Sequence, residues 1–285
     1  MVKANDKASI DQWYVIDTET QIPFGVSSNR LLGYDLKVTR SLAEGVVVQC
    51  AGRDEPLPTR QRFGFIWTTL GTPERDIFPM PEADEPDRRY VPCGVVAVNA
   101  SGLRIVENFL DMAHFPFVHT DILGSEPHTE VPGYASEIRR DVDEVWATNC
   151  TFFQPRIAAT EDKGDFVHLT YRVPSPFVVM LYRVCPTSPN RLDAIALFIQ
   201  PMEDGLCRAQ PVMYLVDSIS SHTDLLKFEQ VIFLQDRIIV ENQRPLLMPL
   251  EPRAEIPTRA DSSSIAYRRW LKEKGIRFGT TAGSL

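Results

Sequence analysis

The chain has 285 residues, 44% hydrophobic and 24% charged, enough for one large domain or two modest ones with a real core. Thirty-eight acidic against 30 basic residues give a net charge of −8, which argues against a nucleic-acid-binding surface. The polar start, the lack of any run of about 18 apolar residues and five scattered cysteines without a C-x-x-C or C-x-H pair point to the cytoplasm rather than to a membrane or a secreted disulfide frame.

Residues 1–72 read as a β-rich unit. Trp13–Ile16, Asp35–Thr39, Val46–Cys50 and Phe63–Leu70 are short runs of β-branched and aromatic residues, with Gly33 and Gly45 as turn formers between them. Residues 73–92 carry Pro73, Pro79, Pro81, Pro86 and Pro92 among acidic side chains and read as a solvated linker. A second domain, 93–285, follows. It opens with a strand at 94–100 and a helix over 104–118 that Pro116 should kink or end. Strand-like runs at 145–153, 165–173, 177–184, 192–200 and 207–216 predict a meandering antiparallel sheet. Residues 222–242 switch to helical period through Leu225, Phe228, Ile232, Phe233 and Ile239. A last helix over about 262–274 takes Asp261 or Ser262 as N-cap and ends before Gly275. The fold class is α+β.

Two of the five histidines fall in one short stretch, where Asn108, Asp111, His114 and His119 follow an N-x-x-D-x-x-H-x-x-x-x-H spacing. On a helix the first three share a face. His119 lies five residues past His114, about 140° away on an unbroken helix, and a kink at Pro116 would bring the two rings together. Two imidazoles and one carboxylate are the ligand set of non-heme Fe(II). Asp236 is the best third ligand, because a carboxylate on the largely apolar stripe of Ile232 and Phe233 wants a cation; Glu241 and Asp224 are alternatives. The same residues also read as ordinary side chains, with Asp111 as a cap and Asp236 paired to Arg237 or Arg244. His128, His168 and His222 have no partner at ligand spacing.

The stretch Glu107–His119 resembles the mononuclear-iron motif of the Rieske non-heme iron oxygenases. Asp236-Arg-Ile-Ile-Val-Glu-Asn-Gln-Arg-Pro and Ala260-Asp-Ser-Ser-Ser-Ile-Ala-Tyr-Arg-Arg-Trp-Leu resemble the aromatic O- and N-demethylase branch. The resemblance implies a helix-grip (START-like) catalytic domain behind a truncated Rieske-domain remnant. It implies His114, His119 and Asp236 as iron ligands, Asp111 as the bridge toward a cluster, and Asn108 near the iron. The family's [2Fe–2S] cluster needs two Cys and two His before this point. No histidine precedes His114, so the cluster-bearing segment has been lost around 45–62, although Trp13-Tyr-Val, Leu31–Val38 and Arg62–Gly71 resemble its flanks.

This pattern is similar to the Rieske-less subunits of bacterial methylxanthine demethylase systems. It implies oxidative removal of the 7-methyl group of 7-methylxanthine as formaldehyde, with O2 as co-substrate. Electrons would come from a Rieske-containing reductase that holds the NADH and FMN sites, a further accessory subunit can join, and the assembly would be a trimer or hetero-oligomer. For a small planar aromatic substrate, Phe117 and Phe233 are expected as walls and Glu229 or Gln230 as acceptors for a ring N–H. Two further readings stay open: a vanillate-type O-demethylase, which a buried arginine in the pocket would favour, and a non-catalytic scaffold subunit. A zinc hydrolase is more remote.

Overall fold

A computed structural model describes residues 2–156, 164–185 and 188–284. A short helix, α1 (Lys7–Ile10), precedes strands β1 (Tyr14–Thr18), β2 (Gly25–Leu31), β3 (Tyr34–Ser41), β4 (Gly45–Cys50), β5 (Thr59–Arg62) and β6 (Phe65–Thr68). They form two three-stranded sheets, ordered β1-β6-β5 and β2-β3-β4. The turn between β2 and β3 puts Leu32 at φ 52° and Gly33 at φ 81°. Two positive φ values in a row suit a two-residue hairpin. A Cβ on Gly33 would lie 2.2 Å from the Val2 carbonyl oxygen, so glycine is required there.

Strands β7 (Arg89–Pro92) and β8 (Val96–Val98) are followed by helices α2 (Gly102–Leu110) and α3 (Phe115–Val118). Then come β9 (Ala135–Arg139), β10 (Glu144–Gln154), β11 (Asp165–Ser175), β12 (Val178–Cys185), β13 (Ser188–Glu203) and β14 (Leu206–Leu215), and finally α4 (His222–Asn242) and α5 (Ser262–Lys274). The large antiparallel sheet has the order β7-β14-β13-β12-β11-β10-β9, with β8 also paired to β14. This is the expected α+β helix-grip architecture.

Strand β13 explains how the layers stack. Its apolar run is continuous because both faces are covered. Leu197 and Ile199 face the core beneath the helices, while Ala194, Ala196 and Phe198 face Trp67 and Phe65 of β6. The Phe198 ring centroid lies 5.0 Å from that of Trp67 and 5.1 Å from that of Phe65. On the helix side, α5 lies against β9 and β10, and α2 sits among β12, β13, β14, α4 and α5. Gly275 closes α5 in the left-handed region at φ 77°. No helix among the described residues is long and apolar enough to cross a membrane.

Two expectations change. The proline-rich stretch 73–92 is not wholly solvated. Met80 is buried, Ile77 and Phe78 pack on the aromatic cluster, and β7 forms an edge of the large sheet. A few apolar anchors decide its placement, and average composition hides them. The helix expected over 104–118 is also two helices. Asp111 leaves the helical region (φ −87°, ψ 123°), and Pro116 lies in the first turn of α3. Proline lacks only a donor that a first turn does not use, so it starts the second helix instead of breaking the first.

Phe198→Ala removes the ring on which β6 rests. It should cost about 3–5 kcal/mol in denaturant unfolding, and limited proteolysis should cut residues 1–72 earlier than in the wild type. An unchanged midpoint would show that the N-terminal layer is not anchored there.

Candidate metal centre

The site grows from the break after α2. Ser101 caps α2 by accepting the Leu103 N–H. The buried Arg104 ties the helix down: it donates to Glu107 at 2.7 Å, Glu255 at 2.6 Å and the Pro245 carbonyl at 2.9 Å, and Arg268 completes the network from α5. Beyond Leu110 the chain makes the single turn of α3, with His114 and His119 at its two ends. The His119 carbonyl then accepts from Ile122 and Leu123, folding the next loop back underneath. Gly124 sits so close that a Cβ there would lie 2.6 Å from the Pro116 nitrogen. Helix α4 brings in Asp236 and Gln235.

His114 Nε2 and His119 Nε2 are 3.1 Å apart. Asp236 Oδ1 lies 3.3 Å from the first and 3.0 Å from the second. The other ring nitrogens fix the tautomers. His114 Nδ1 meets Asp111 Oδ2 at 2.9 Å and His119 Nδ1 meets Gln235 Oε1 at 2.8 Å. A carboxylate and an amide oxygen only accept, so both Nδ1 atoms carry the proton. Both Nε2 lone pairs therefore point at each other and at Asp236 Oδ1, a buried atom with no hydrogen-bond partner among the described residues. Three acceptors converging in a buried space need a cation, and the donor set fits a divalent metal.

Without a metal, a proton takes that place. Burial alone would push the His114 ring down, but hydrogen bonds to Asp111 and Asp236 overcome it and hold it at about 9. Burial likewise opposes ionisation of Asp236, and the two imidazoles keep its carboxyl below the usual range. The alternatives to Asp236 are used elsewhere: Glu241 accepts from Asn99 and pairs with Arg237, and Asp224 lies in the first turn of α4 on Ser221.

A cavity of about 70 Å³ opens beside the three ligating atoms. That is below the roughly 300–1,000 Å³ of typical small-molecule sites, so a ring-sized ligand must displace half-buried side chains such as Phe228 and Ile232. Phe233 and Glu229 are among the residues that line it. Burial pushes the Glu229 carboxyl up to about 7, against the pull of Arg183.

Phe117 and Gln230 do not line it. Phe117 is 66% exposed, because residues two apart on a helical turn face opposite ways and Phe115 takes the inward position. Gln230 is exposed and donates to the Cys93 carbonyl at 2.9 Å. Asn108 faces an outer groove together with Asp111 and one edge of His114. Sequence reasoning missed Gln235, Phe109, Phe115, Tyr171 and Arg183 as site residues. Gln154 also lies buried at the end of β10, a polar residue in an inward position on the same face as buried Phe152; that alternation was the available signal.

The family model for the vanillate O-demethylase oxygenase C-terminal domain matches residues 98–275. The probable methylxanthine N7-demethylase NdmC of Pseudomonas sp. (strain TJI-51) is 42% identical across 98% of this chain and 99% of its own length. The methylxanthine N1-demethylase NdmA of Pseudomonas putida is 25% identical across 75% of this chain and 59% of its own length. Among solved structures, Pseudomonas putida CBB5 NdmA with caffeine superposes with a TM-score of 0.77 at 20% identity, covering 94% of this chain and 92% of that one. Dicamba monooxygenase bound to dicamba gives 0.69 at 14% identity, covering 94% and 98%. With a family model across most of its catalytic half and a 42%-identical relative along almost its whole length, the chain belongs to the Rieske-type non-heme iron oxygenases, in the branch of the aromatic O- and N-demethylases.

Proposed function

We propose that this chain is the oxygenase subunit of a methylxanthine N-demethylase that removes the 7-methyl group of 7-methylxanthine as formaldehyde. The observation that carries the reading is the convergence of His114, His119 and Asp236 on one buried point beside an aromatic cavity. These three residues would hold Fe(II), which when bound supplies the oxidising chemistry that puts one atom of O2 into the methyl C–H bond. Asp111 and Gln235 keep the Nδ1 protons in place and so aim both Nε2 lone pairs inward. Phe115 and Phe233 wall the ring, hold the methyl near the centre and exclude water. Glu229 accepts from a ring N–H. The hydroxymethyl product then breaks its C–N bond. The electron pair stays on the ring nitrogen, which takes up a proton; the hydroxyl loses its proton, and formaldehyde leaves.

Reducing O2 in this way consumes two electrons. No histidine precedes His114, so the chain lacks the ligands of a Rieske cluster. A separate reductase carrying an iron–sulfur cluster delivers the electrons, entering from the groove where Asp111 reaches the surface.

Arg183 in the cavity favours a second reading, demethylation of a methoxylated aromatic acid, since guanidinium binds carboxylates. Two carboxylates already flank it: Asp193 lies 3.9 Å from its Nε, and Glu229 feels its charge. A third, on the substrate, would meet net negative charge. The neutral methylxanthine is therefore the better fit.

Turnover with an added cluster-bearing reductase, NADH and O2 should release one formaldehyde per 7-methylxanthine and none from vanillate. His114→Ala or Asp236→Ala should abolish both bound iron and product. Formaldehyde from vanillate alone would overturn the substrate assignment, and full iron in both variants would overturn the centre. Gln235→Leu should leave the fold intact while weakening ferrous ion binding by about 10–100-fold, read by anaerobic titration.

Metal binding should also depend on pH with a definite sign. The metal-free protein holds a proton on His114 up to about pH 9, and a metal must displace it. Affinity for Fe(II) or Co(II) should rise about tenfold per unit from pH 6 to 9 and then level off, with about one proton released per ion. Calorimetry in buffers of different ionisation enthalpy measures the proton count; a pH-independent affinity would refute the proton held between His114 and Asp236.

A further inference from the structure

Hydrogen-bonding atoms are left over in the wall of the cavity, away from the metal-ligating atoms. Gln154 is 3% exposed, and its Oε1 has no hydrogen-bond partner among the described residues. The Tyr171 hydroxyl, in a residue 1% exposed, is in the same state. Glu229 is 7% exposed and feels the nearby charges of Arg183, Asp236 and His119. All three residues line the cavity that holds the metal-ligating atoms. A buried polar atom without a partner costs about 1–3 kcal/mol. Three other buried tyrosines avoid that cost: the Tyr14, Tyr214 and Tyr267 hydroxyls each donate to a carbonyl. Ser9 Oγ and Gln210 Oε1 are also buried without a partner among the described residues, but Gln154 and Tyr171 stand together on a cavity wall, where a ligand can supply what they lack.

The kinds of atom narrow the ligand. An amide oxygen only accepts, and a carboxyl group keeps an acceptor oxygen whether or not it is protonated, so both can take an N–H or O–H donor. A hydroxyl can donate to a carbonyl. Glu229 lies seven residues before Asp236 on α4, about 10 Å along the helix axis. A planar ring can span that distance with its methyl at one end and its polar edge at the other.

We propose that Gln154 and Glu229 are specificity-determining residues that read free ring N–H groups on the edge of the substrate far from the reacting methyl, with Tyr171 donating to a ring carbonyl. Resting on the methylxanthine reading above, this makes the site selective for rings whose other nitrogens carry hydrogen. A methyl on those nitrogens removes the donor and leaves a buried acceptor facing carbon. It is a penalty of the kind that lets a site built around a hydrogen bond reject the analogue lacking it.

Binding to the metal-loaded protein under anaerobic conditions, measured by calorimetry, separates this idea from the reaction itself. The wild type should bind 7-methylxanthine at least about 100-fold more tightly than its 1,3,7-trimethyl analogue. In Gln154→Leu and Glu229→Leu the preference should shrink about tenfold or more, mainly through weaker binding of the monomethyl compound. Metal content and melting temperature verify that each variant is folded. Gln154→Leu removes a buried acceptor that has no partner among the described residues, and Glu229→Leu removes a carboxyl that burial disfavours in its ionised form, so both variants should fold. Equal affinities of the wild type for the two compounds, or a preference undisturbed by both substitutions, would overturn the proposal while leaving the demethylase reading intact. No binding of any methylxanthine, with formaldehyde produced from a different ring, would overturn the reading itself.

Discussion

Three acceptor atoms pointed at one buried place govern this molecule. His114 Nε2, His119 Nε2 and Asp236 Oδ1 lie within 3.0–3.3 Å of one another. Left alone they repel, and burial removes the water that would screen them. Only a cation makes the arrangement stable, whether a proton on His114 or a metal. Asp111 and Gln235 remove the alternative, in which a ring would turn its N–H inward and satisfy the carboxylate without any ion. The fold holds three acceptors in a state that only a positive charge stabilises.

That strain is contained by the elements around it. Both histidines sit on one four-residue turn, too short to be stable alone. It is held by Gly124 packed against Pro116 and by the loop that returns to the His119 carbonyl. On the other side, the Arg104–Glu107–Arg268–Glu255 cluster clamps α2, α5 and the chain after α4. Breaking one partner of such a buried network leaves an unpaired charge. The clamp thus fixes the direction in which α2 releases the chain into the site. Precision at the metal centre comes from these supports more than from the ligands themselves.

How far the sequence could be read follows from range. The spacing of the histidines, the 222–242 period and the strands after 144 are local signals, and the structure keeps them, most within two residues of the expected limits and β13 longer at both ends. Where a residue points is set by neighbours far along the chain. Pro116 was legible as a disturbance, but whether it ends one helix or begins another depends on Asp111 leaving α2 first. Phe117 and Phe115 are chemically identical, and only the packing of α3 on Phe152 sends one inward and the other to solvent. Gln235 was invisible because its partner lies 116 residues away, although it sits beside the most conspicuous carboxylate of α4.

The N-terminal residues pose a last question, since no histidine precedes His114. Their persistence follows from β13. Ala194, Ala196 and Phe198, with Met180 and Tyr182 of β12, form an apolar face that β1 and β6 cover with Val15, Phe65 and Trp67. Exposing it would cost about 25 cal/mol for every Å² uncovered and leave an apolar patch open to aggregation. The turn after β2 adds backbone bonds from Leu32 and Gly33 to Pro201 and Met202 at the end of β13. Strands β1 and β6 are the back wall of the large sheet, so packing accounts for their place. What supports the metal-ligating half from behind is therefore held in place by packing and by these backbone bonds.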